Sequence, residues 1–140
     1  MNIDFDRLQA PSPRESMHSQ CLLELNHQDI PRSTNGLGHN FEFAAWLKLK
    51  HTHDLPALLI MEQKTSQGHK WFLVDSARVT SIKGVVLMSG RVQTKDRIIQ
   101  SIELHVCHPN PHMTVQVEEL RFNGDLIRTE AIDAVATGGN

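Results

Sequence analysis

The stretch HVCHPNPH, residues 105–112, places three histidines and one cysteine within eight positions. Imidazole nitrogen and thiolate sulfur are preferred ligands of zinc, and a catalytic zinc site needs three such ligands with the fourth position open. Whether this stretch supplies such a site depends on which of its side chains point to the same face of the secondary structure around them.

The segments on both sides of this stretch alternate apolar and polar residues, which is typical of strands that each bury one face. If the two strands pair as a hairpin, Val106 lies opposite Met113, because a slip of one residue would turn every apolar side chain into water. The same register puts Cys107 opposite His112. His105, two residues before Cys107, falls on the same face.

This register identifies His105, Cys107 and His112 as candidate zinc ligands, since directly opposed Cβ atoms lie about 5 Å apart. Glu103 and Gln116 fall on the same face and would orient the ligands through hydrogen bonds. The alternative is a solvated hairpin end, where the same polar side chains serve solubility alone. In that case the protein carries no cofactor.

A second candidate surface lies in the segment FEFAAWLKLK, residues 41–50. Its strict period of two over ten residues predicts a strand with one face in the core. Trp46, Lys48 and Lys50 fall on the other face. An exposed tryptophan flanked by cations can anchor a protein partner or a second copy of the chain, because it offers large contact area at small entropic cost. The alternative is that a C-terminal helix or a second subunit covers Trp46, or that the strand is central and buried on both faces.

The residue pattern also predicts strands in the rest of the chain, at spacings near ten residues. Residues 57–65 fit either a helix that begins after Asp54 or the first strand of a hairpin with residues 70–74, and the strand-like segments that follow favour the hairpin. Seven or eight strands predict a mainly β fold, an antiparallel sandwich or a partly open barrel. The candidate strands are residues 19–27, 41–50, 57–65, 70–74, 77–82, 84–92, 97–107 and 113–122.

The domain organisation follows from these elements. Residues 1–18 are polar and contain two prolines, which predicts a flexible N-terminal arm. Residues 19–124 form the predicted β domain. Asp125 is a suitable N-cap residue, and glycine follows the next apolar run, so a short C-terminal helix is expected within residues 125–140.

One alternative to this fold comes from a family resemblance. Residues 36–47, GLGHNFEFAAWL, resemble the Gly-His-x-Asn stretch that opens the central helix of hot-dog-fold acyl-CoA thioesterases. The resemblance covers only these residues. It implies an α+β fold with residues 41–52 as the central helix, and an acyl-CoA thioesterase with Asn40 or Glu42 near the thioester.

Composition narrows the function classes. A net charge of −2 with no run of four basic residues argues against non-specific binding of nucleic acid. The longest apolar run, residues 57–61, is too short to cross a bilayer. The first twenty residues lack the basic and apolar regions of a secretory signal. The two cysteines suit reduced thiols in the cytoplasm, with a single disulfide as the alternative.

No catalytic constellation accompanies this composition, because no serine or cysteine has the flanking residues of a known nucleophile. The sequence therefore predicts a small cytoplasmic binding module without catalytic activity. Its partner is expected to be a protein, a small ligand or a second copy, bound through a sheet face. A hot-dog-type thioesterase and a zinc-binding β-barrel protein are the alternatives.

Overall fold

The computed structural model describes residues 11–31, 38–50, 55–79, 85–109 and 111–129 of the 140-residue chain. It confirms the mainly β prediction: the described residues form an antiparallel sandwich of two four-stranded sheets. Sheet A has the order β1-β6-β3-β4 and sheet B the order β5-β2-β7-β8. The strands are β1 His18–Asn26, β2 His39–Lys50, β3 Leu55–Thr65, β4 Gly68–Val79, β5 Val85–Thr94, β6 Ser101–His108, β7 Thr114–Phe122 and β8 Asp125–Thr129.

The core lies between the sheets and is built by the alternation that the sequence shows. In β2, the inward residues are at most 3 % exposed: Phe41, Phe43, Ala45, Leu47 and Leu49. Sheet A supplies the facing layer, and its fully buried members include Leu59, Met61, Ile102, Leu104 and Val106. Burying each large side chain stabilises the fold by about 1.5–3 kcal/mol, so this interface determines which face of every strand points inward.

The connectivity differs from a simple meander. Among the described strands, consecutive pairs form hairpins at β3–β4 and β7–β8. The β6 strand pairs with β1 and β3, whereas β7 pairs with β2 and β8. The predicted hairpin between these two strands is therefore wrong. Both strands turn their apolar residues to the core whether they pair in one sheet or face each other across it, so alternation does not separate the two arrangements.

The two sheets approach each other closely where β4 meets β5. Val74 is an extra residue in β4 relative to β3. A Cβ placed on Gly90 would lie 2.2 Å from the Val74 carbonyl oxygen, so this position requires glycine. The backbone N–H of Ser89 also donates to a carboxylate oxygen of Asp75 at 2.9 Å. These contacts close one side of the sandwich.

The structure decides between helix and strand at two segments of the chain. Residues 57–65 belong to β3, which confirms the hairpin with β4. The central helix over residues 41–52 is wrong as far as it is described, because β2 continues as a strand to residue 50, and residues 51–52 lie outside the described ranges. With that helix, the thioesterase resemblance loses its structural basis.

The C-terminal helix is also wrong over its first five residues, which form strand β8. Asn123 and Gly124 both have positive φ, 51° and 86°, and link β7 to β8 as a two-residue turn. Asn-Gly is the strongest sequence signal for such a hairpin, because both residues tolerate the left-handed backbone. The remainder of the predicted helix, residues 130–140, lies outside the described part of the chain.

The described end of the N-terminal arm has regular structure. Pro13–Glu15 form a 3-10 turn, and the Ser12 side chain accepts a hydrogen bond from the Arg14 N–H. Residues 1–10 lie outside the described ranges. Within those ranges, no helix is long and apolar enough to span a bilayer.

Candidate functional site

The outer face of sheet B carries the predicted tryptophan. Trp46 alternates with Ala45 and Leu47, which are fully buried, so its side chain lies on the opposite face, as predicted. It is half-buried and pairs with Leu87 of β5 on one side and Glu119 of β7 on the other. Leu87 is 48 % exposed and its neighbour Val85 50 % exposed. We call Trp46, Leu87 and Val85 the Trp46 patch.

Two ion pairs and two lysines lie on the same strands as the Trp46 patch or beside them. Arg91 donates to Glu42 at 2.8 Å, and Arg121 donates to Glu119 at 2.8 Å. Lys48 lies opposite Val85 in the register between β2 and β5. Lys50 is the last residue of β2, and its side chain lies outside the described part. The face therefore combines apolar area with nearly balanced charge.

The outer face of sheet A has a different composition. Three carboxylates, Glu24, Glu103 and Glu62, occupy directly opposed positions on β1, β6 and β3. Like charges in such positions repel. Arg14 relieves this repulsion, because its guanidinium lies 2.7 Å from Glu62 and 4.0 Å from Glu103. The Ser12 hydroxyl donates a second hydrogen bond to Glu62.

These contacts affect the titration of Glu62. Partial burial works to raise its pKa, but the hydrogen bonds from Ser12 and Arg14 outweigh burial and hold the pKa below its ordinary value of 4.5. The segment Ser12–Glu15 is thereby attached to the sheet through a half-buried ion pair. The predicted arm contacts the chain's own sheet over these residues.

His105 lies in β6 between the register positions of Cys21 and Ile60. It is 2 % exposed, and its Nε2 lies 2.9 Å from a Glu103 oxygen. The other ring nitrogen, Nδ1, is buried and has no hydrogen-bond partner among the described residues. Cys21, Glu103 and His105 each offer one ligand atom, and these three atoms all lie within 4.8 Å of one another.

Cys21 completes this group from the exposed edge strand β1. Its Sγ makes a weak hydrogen bond to the Leu23 carbonyl at 3.5 Å. Partial burial raises the pKa of the thiol, and the carboxylates of Glu103 and Glu24 add to the rise. The thiol is therefore protonated at neutral pH unless a cation displaces its proton. We call Cys21, Glu103 and His105 the sheet A cluster.

The three residues predicted as zinc ligands do not meet in the predicted way. His105 and Cys107 share the outer face of β6, but Cys107 pairs with Ser19 and Leu58. Burial raises the pKa of the Cys107 thiol to about 11. His112 is exposed in the connection between the sheets. Metal binding by His105, Cys107 and His112 stays a prediction. The strand pairing on which it was based does not occur, because β6 pairs with β3 and β7 pairs with β2.

The sequence predicts Glu103 only as a residue that orients the zinc ligands, and Cys21 is not among the predicted site residues. Cys21 approaches His105 through the pairing of β1 with β6, two strands far apart in the chain. Alternation assigns Cys21 to the face away from buried Leu22, but it says nothing about which strand lies beside it. A signal for this pairing was absent from the single sequence.

Further concave regions lie elsewhere. The described residues that line a cavity of about 590 Å³ are His27, Gln28, Ile30, Pro31, His39, Arg97 and Ile99. The Nδ1 atoms of its two histidines lie 3.1 and 2.9 Å from the backbone carbonyls of Ile99 and Asp96. Asn40 and Glu42, the residues assigned by the thioesterase resemblance, line a shallow depression of about 330 Å³ with Arg91, Asn123 and Gly124.

A cluster of polar side chains around Asp96 supports the connection from β5 to β6. Gln63 and Thr94 donate to the Asp96 carboxylate, and Lys70 lies 3.1 Å from it. Burial works to raise the pKa of Asp96, but the hydrogen bonds from Lys70 and Thr94 outweigh it and hold the pKa below its ordinary value. These contacts satisfy the charge of Asp96 and tie the connection to sheet A, which is a structural role.

Comparisons with known proteins identify no family. No family model matches the sequence, and no curated protein matches it. Among solved structures, the chain is similar to VP2 in the crystal structure of the infectious bursal disease virus subviral particle, with a TM-score of 0.39 and 12 % identity. The similarity covers 76 % of this chain and 26 % of the viral chain. The geometry of the two outer faces is thus the basis for any functional conclusion.

Proposed function

We propose that the protein is a non-enzymatic interaction module that binds a second copy of itself through the outer face of sheet B. The observation that carries this proposal is the Trp46 patch, in which a tryptophan on β2 lies beside two half-exposed aliphatic residues on β5. Single exposed apolar residues are normal on proteins, but a contiguous group that includes tryptophan is typical of an interface.

The energetics favour covering this patch. Removing apolar surface from water yields about 25 cal/mol per Å², and tryptophan contributes disproportionately when it is packed at the centre of an interface. Leu87 and Val85 each expose about half of their surface. The strand that carries them, β5, is an edge of sheet B, so a partner reaches the patch without crossing other elements of that sheet.

The charges around the patch favour a second copy as the partner. Glu42 and Arg91 neutralise each other within one chain, as do Glu119 and Arg121. A two-fold interface brings the same surface of both chains together, so a face of one sign would repel its copy. The two ion pairs within this face limit this repulsion, while Lys48 adds a positive charge opposite Val85.

The cysteines support a cytoplasmic location for this activity. Both are free thiols, Cys21 exposed and Cys107 buried, and neither forms the disulfide that stood as the alternative. Exposed free thiols are typical of proteins in reducing compartments.

Sedimentation velocity of the untagged full chain, over a range from low to high micromolar concentration, tests the proposal. We expect a concentration-dependent monomer–dimer equilibrium that Trp46→Ala shifts to monomer by at least tenfold in Kd, because the central aromatic contact is lost. The chain has only one other tryptophan, Trp71 on β4 of sheet A, and Trp71→Ala is the matched control.

Urea unfolding of the Trp46→Ala monomer shows whether the variant stays folded, and its midpoint should lie close to that of the wild-type monomer. The proposal is wrong if the wild-type chain is monomeric throughout the range. It is also wrong if Trp46→Ala and Trp71→Ala leave the same dimer population.

A further inference from the structure

We infer that the sheet A cluster is a binding site for a divalent transition metal of the zinc type, with Cys21, Glu103 and His105 as the protein ligands. This inference is independent of the proposed self-association, which uses the opposite face of the sandwich. It also differs from the sequence prediction, because it keeps only His105 of the three residues named there.

The donor set is the first observation. Thiolate, imidazole and carboxylate are the three side-chain groups that bind zinc, and three protein ligands with an open fourth position are typical of sites that keep a water or a substrate. Hard cations such as Mg²⁺ and Ca²⁺ prefer oxygen ligands alone, so the cysteine and histidine select against them.

The second observation is distance. Tetrahedral zinc, with bonds of about 2.0–2.3 Å, requires ligand atoms about 3.3–3.6 Å apart. The three ligand atoms of the cluster already lie within 4.8 Å of one another, and His105 Nε2 lies 2.9 Å from Glu103. The remaining adjustment falls mainly on Cys21, an exposed side chain on an edge strand, which has room to rotate.

The third observation concerns the histidine ring. His105 is buried, yet only one of its two nitrogens has a hydrogen-bond partner, the Glu103 carboxylate. A buried polar atom without a partner costs about 1–3 kcal/mol. A metal bound at Nε2 replaces the hydrogen bond to Glu103 and leaves the ring proton on Nδ1, which has no acceptor among the described residues, so the metal bonds must outweigh this cost.

Arg14 controls access to this site through charge. Its guanidinium lies 4.0 Å from the same Glu103 oxygen that faces His105. A cation at that distance weakens the attraction of the carboxylate for a metal ion. Zinc binding therefore displaces the Cys21 thiol proton to solvent and competes with Arg14 for Glu103.

Isothermal titration of the untagged, chelator-treated full chain with Zn²⁺ alone tests the inference, together with the absorption spectrum after Co²⁺ addition. We expect one metal ion per chain and a thiolate-to-cobalt charge-transfer band in the near ultraviolet. Cys21→Ser should abolish the band and weaken Zn²⁺ binding at least tenfold. Arg14→Gln should tighten binding several-fold, because the competing cation is removed.

Two variants serve as matched controls. Glu42→Gln removes a carboxylate on the outer face of sheet B, and His112→Gln removes an exposed histidine. Both should bind Zn²⁺ within about twofold of the wild-type chain. Far-UV circular dichroism and thermal unfolding of metal-free Cys21→Ser establish that the exposed substitution leaves the fold intact.

The inference is wrong if the cobalt complex lacks the thiolate band, or if Cys21→Ser binds Zn²⁺ as tightly as the wild-type chain. Loss of binding in His112→Gln would assign the metal to surface histidines and overturn it as well. The dimer population of Cys21→Ser should equal that of the wild-type chain. Failure of the zinc test therefore leaves the self-association proposal standing, and failure of the self-association test leaves the zinc site standing.

Discussion

The central strands of sheet A and the Trp46 patch of sheet B differ in the burial of their outward residues. On sheet A, the outward residues Ile60, His105 and Cys107 are at most 2 % exposed, and Ser12 and Arg14 bind Glu62 at the same face. On sheet B, the Trp46 patch has two members that are about half exposed. Strand position contributes to this difference, because β3 and β6 are central in sheet A whereas β5 is an edge of sheet B. On the edge strand β4 of sheet A, Leu73 is likewise 51 % exposed.

Buried and exposed parts of a sheet face favour different interactions. A covered face lowers the local dielectric, and charged or hydrogen-bonding groups there interact more strongly with each other than in water. Of the sheet A cluster, His105 lies in such a setting, whereas the Glu103 side chain is 37 % exposed and Cys21 is exposed. An uncovered face with apolar area has free energy to gain from a partner. The chain thus buries His105 and Cys107 on one face and leaves Leu87 and Val85 half exposed on the other.

The largest expected contrast is in thiol reactivity. Cys107 is fully buried with a pKa of about 11, whereas Cys21 is exposed on the edge strand. Alkylation of Cys107 requires an opening of the structure, which costs several kcal/mol, so it should react roughly a thousandfold more slowly than Cys21. Mass spectrometry after iodoacetamide treatment in the presence of a chelator measures both rates.

Unfolding in guanidinium chloride provides the control for this prediction, because both thiols should then react at similar rates. Comparable rates in the folded protein would show that the outer face of sheet A opens readily. In that case the burial of the central strand β6 relative to the edge strand β1 does not persist in solution.

A pair of truncations measures the same contrast as stability. Ile60 is fully buried on the outer face of sheet A, and Leu87 is 48 % exposed on that of sheet B. Ile60→Ala should lower the free energy of unfolding by about 2–5 kcal/mol, and Leu87→Ala by less than about 0.5 kcal/mol. Urea unfolding at a concentration where the chain is monomeric gives both values. Equal losses would contradict the difference in burial between Ile60 and Leu87.

The fold also shows how much of the structure could be predicted from the sequence. The alternation of residues 41–50 specified a strand, its buried face and the outward position of Trp46, because a period of two is a local property. The Asn123–Gly124 turn was equally local, yet Asp125 was taken as a helix N-cap. The turn signal is the stronger of the two, since positive φ at both residues fits a hairpin and not a helix start.

The sheet A cluster depends on information that alternation lacks. Residues of β1 and β6 face outward by parity, but only the sheet order places Cys21 beside His105. A sandwich lets consecutive strands lie in different sheets, so the nearest strand in sequence is a poor guide to the nearest strand in space. The predicted pairing of residues 97–107 with 113–122 failed for this reason, and the predicted ligand geometry failed with it.

The smallest expected contrast is between two ion pairs of similar length. Arg14–Glu62 at 2.7 Å has side chains 38 % and 19 % exposed, and Arg91–Glu42 at 2.8 Å has side chains 71 % and 48 % exposed. Solvent screens the second pair more strongly. Double-mutant cycles with Arg→Gln and Glu→Gln variants should give a coupling of about 1 kcal/mol on sheet A and about 0.2–0.5 kcal/mol on sheet B.

The pH dependence of unfolding gives the sheet A pair an independent test. The folded-state pKa of Glu62 lies below its ordinary value of 4.5, so the unfolded chain binds the proton more readily. The stability contributed by this carboxylate is complete above that value and is lost as the pH falls through the lower, folded-state pKa. Wild-type and Glu62→Gln stabilities, measured by urea unfolding, should therefore converge toward acid pH. Parallel curves would mean that Ser12 and Arg14 do not hold the carboxylate in solution, and that the outer face of sheet A is as open as that of sheet B.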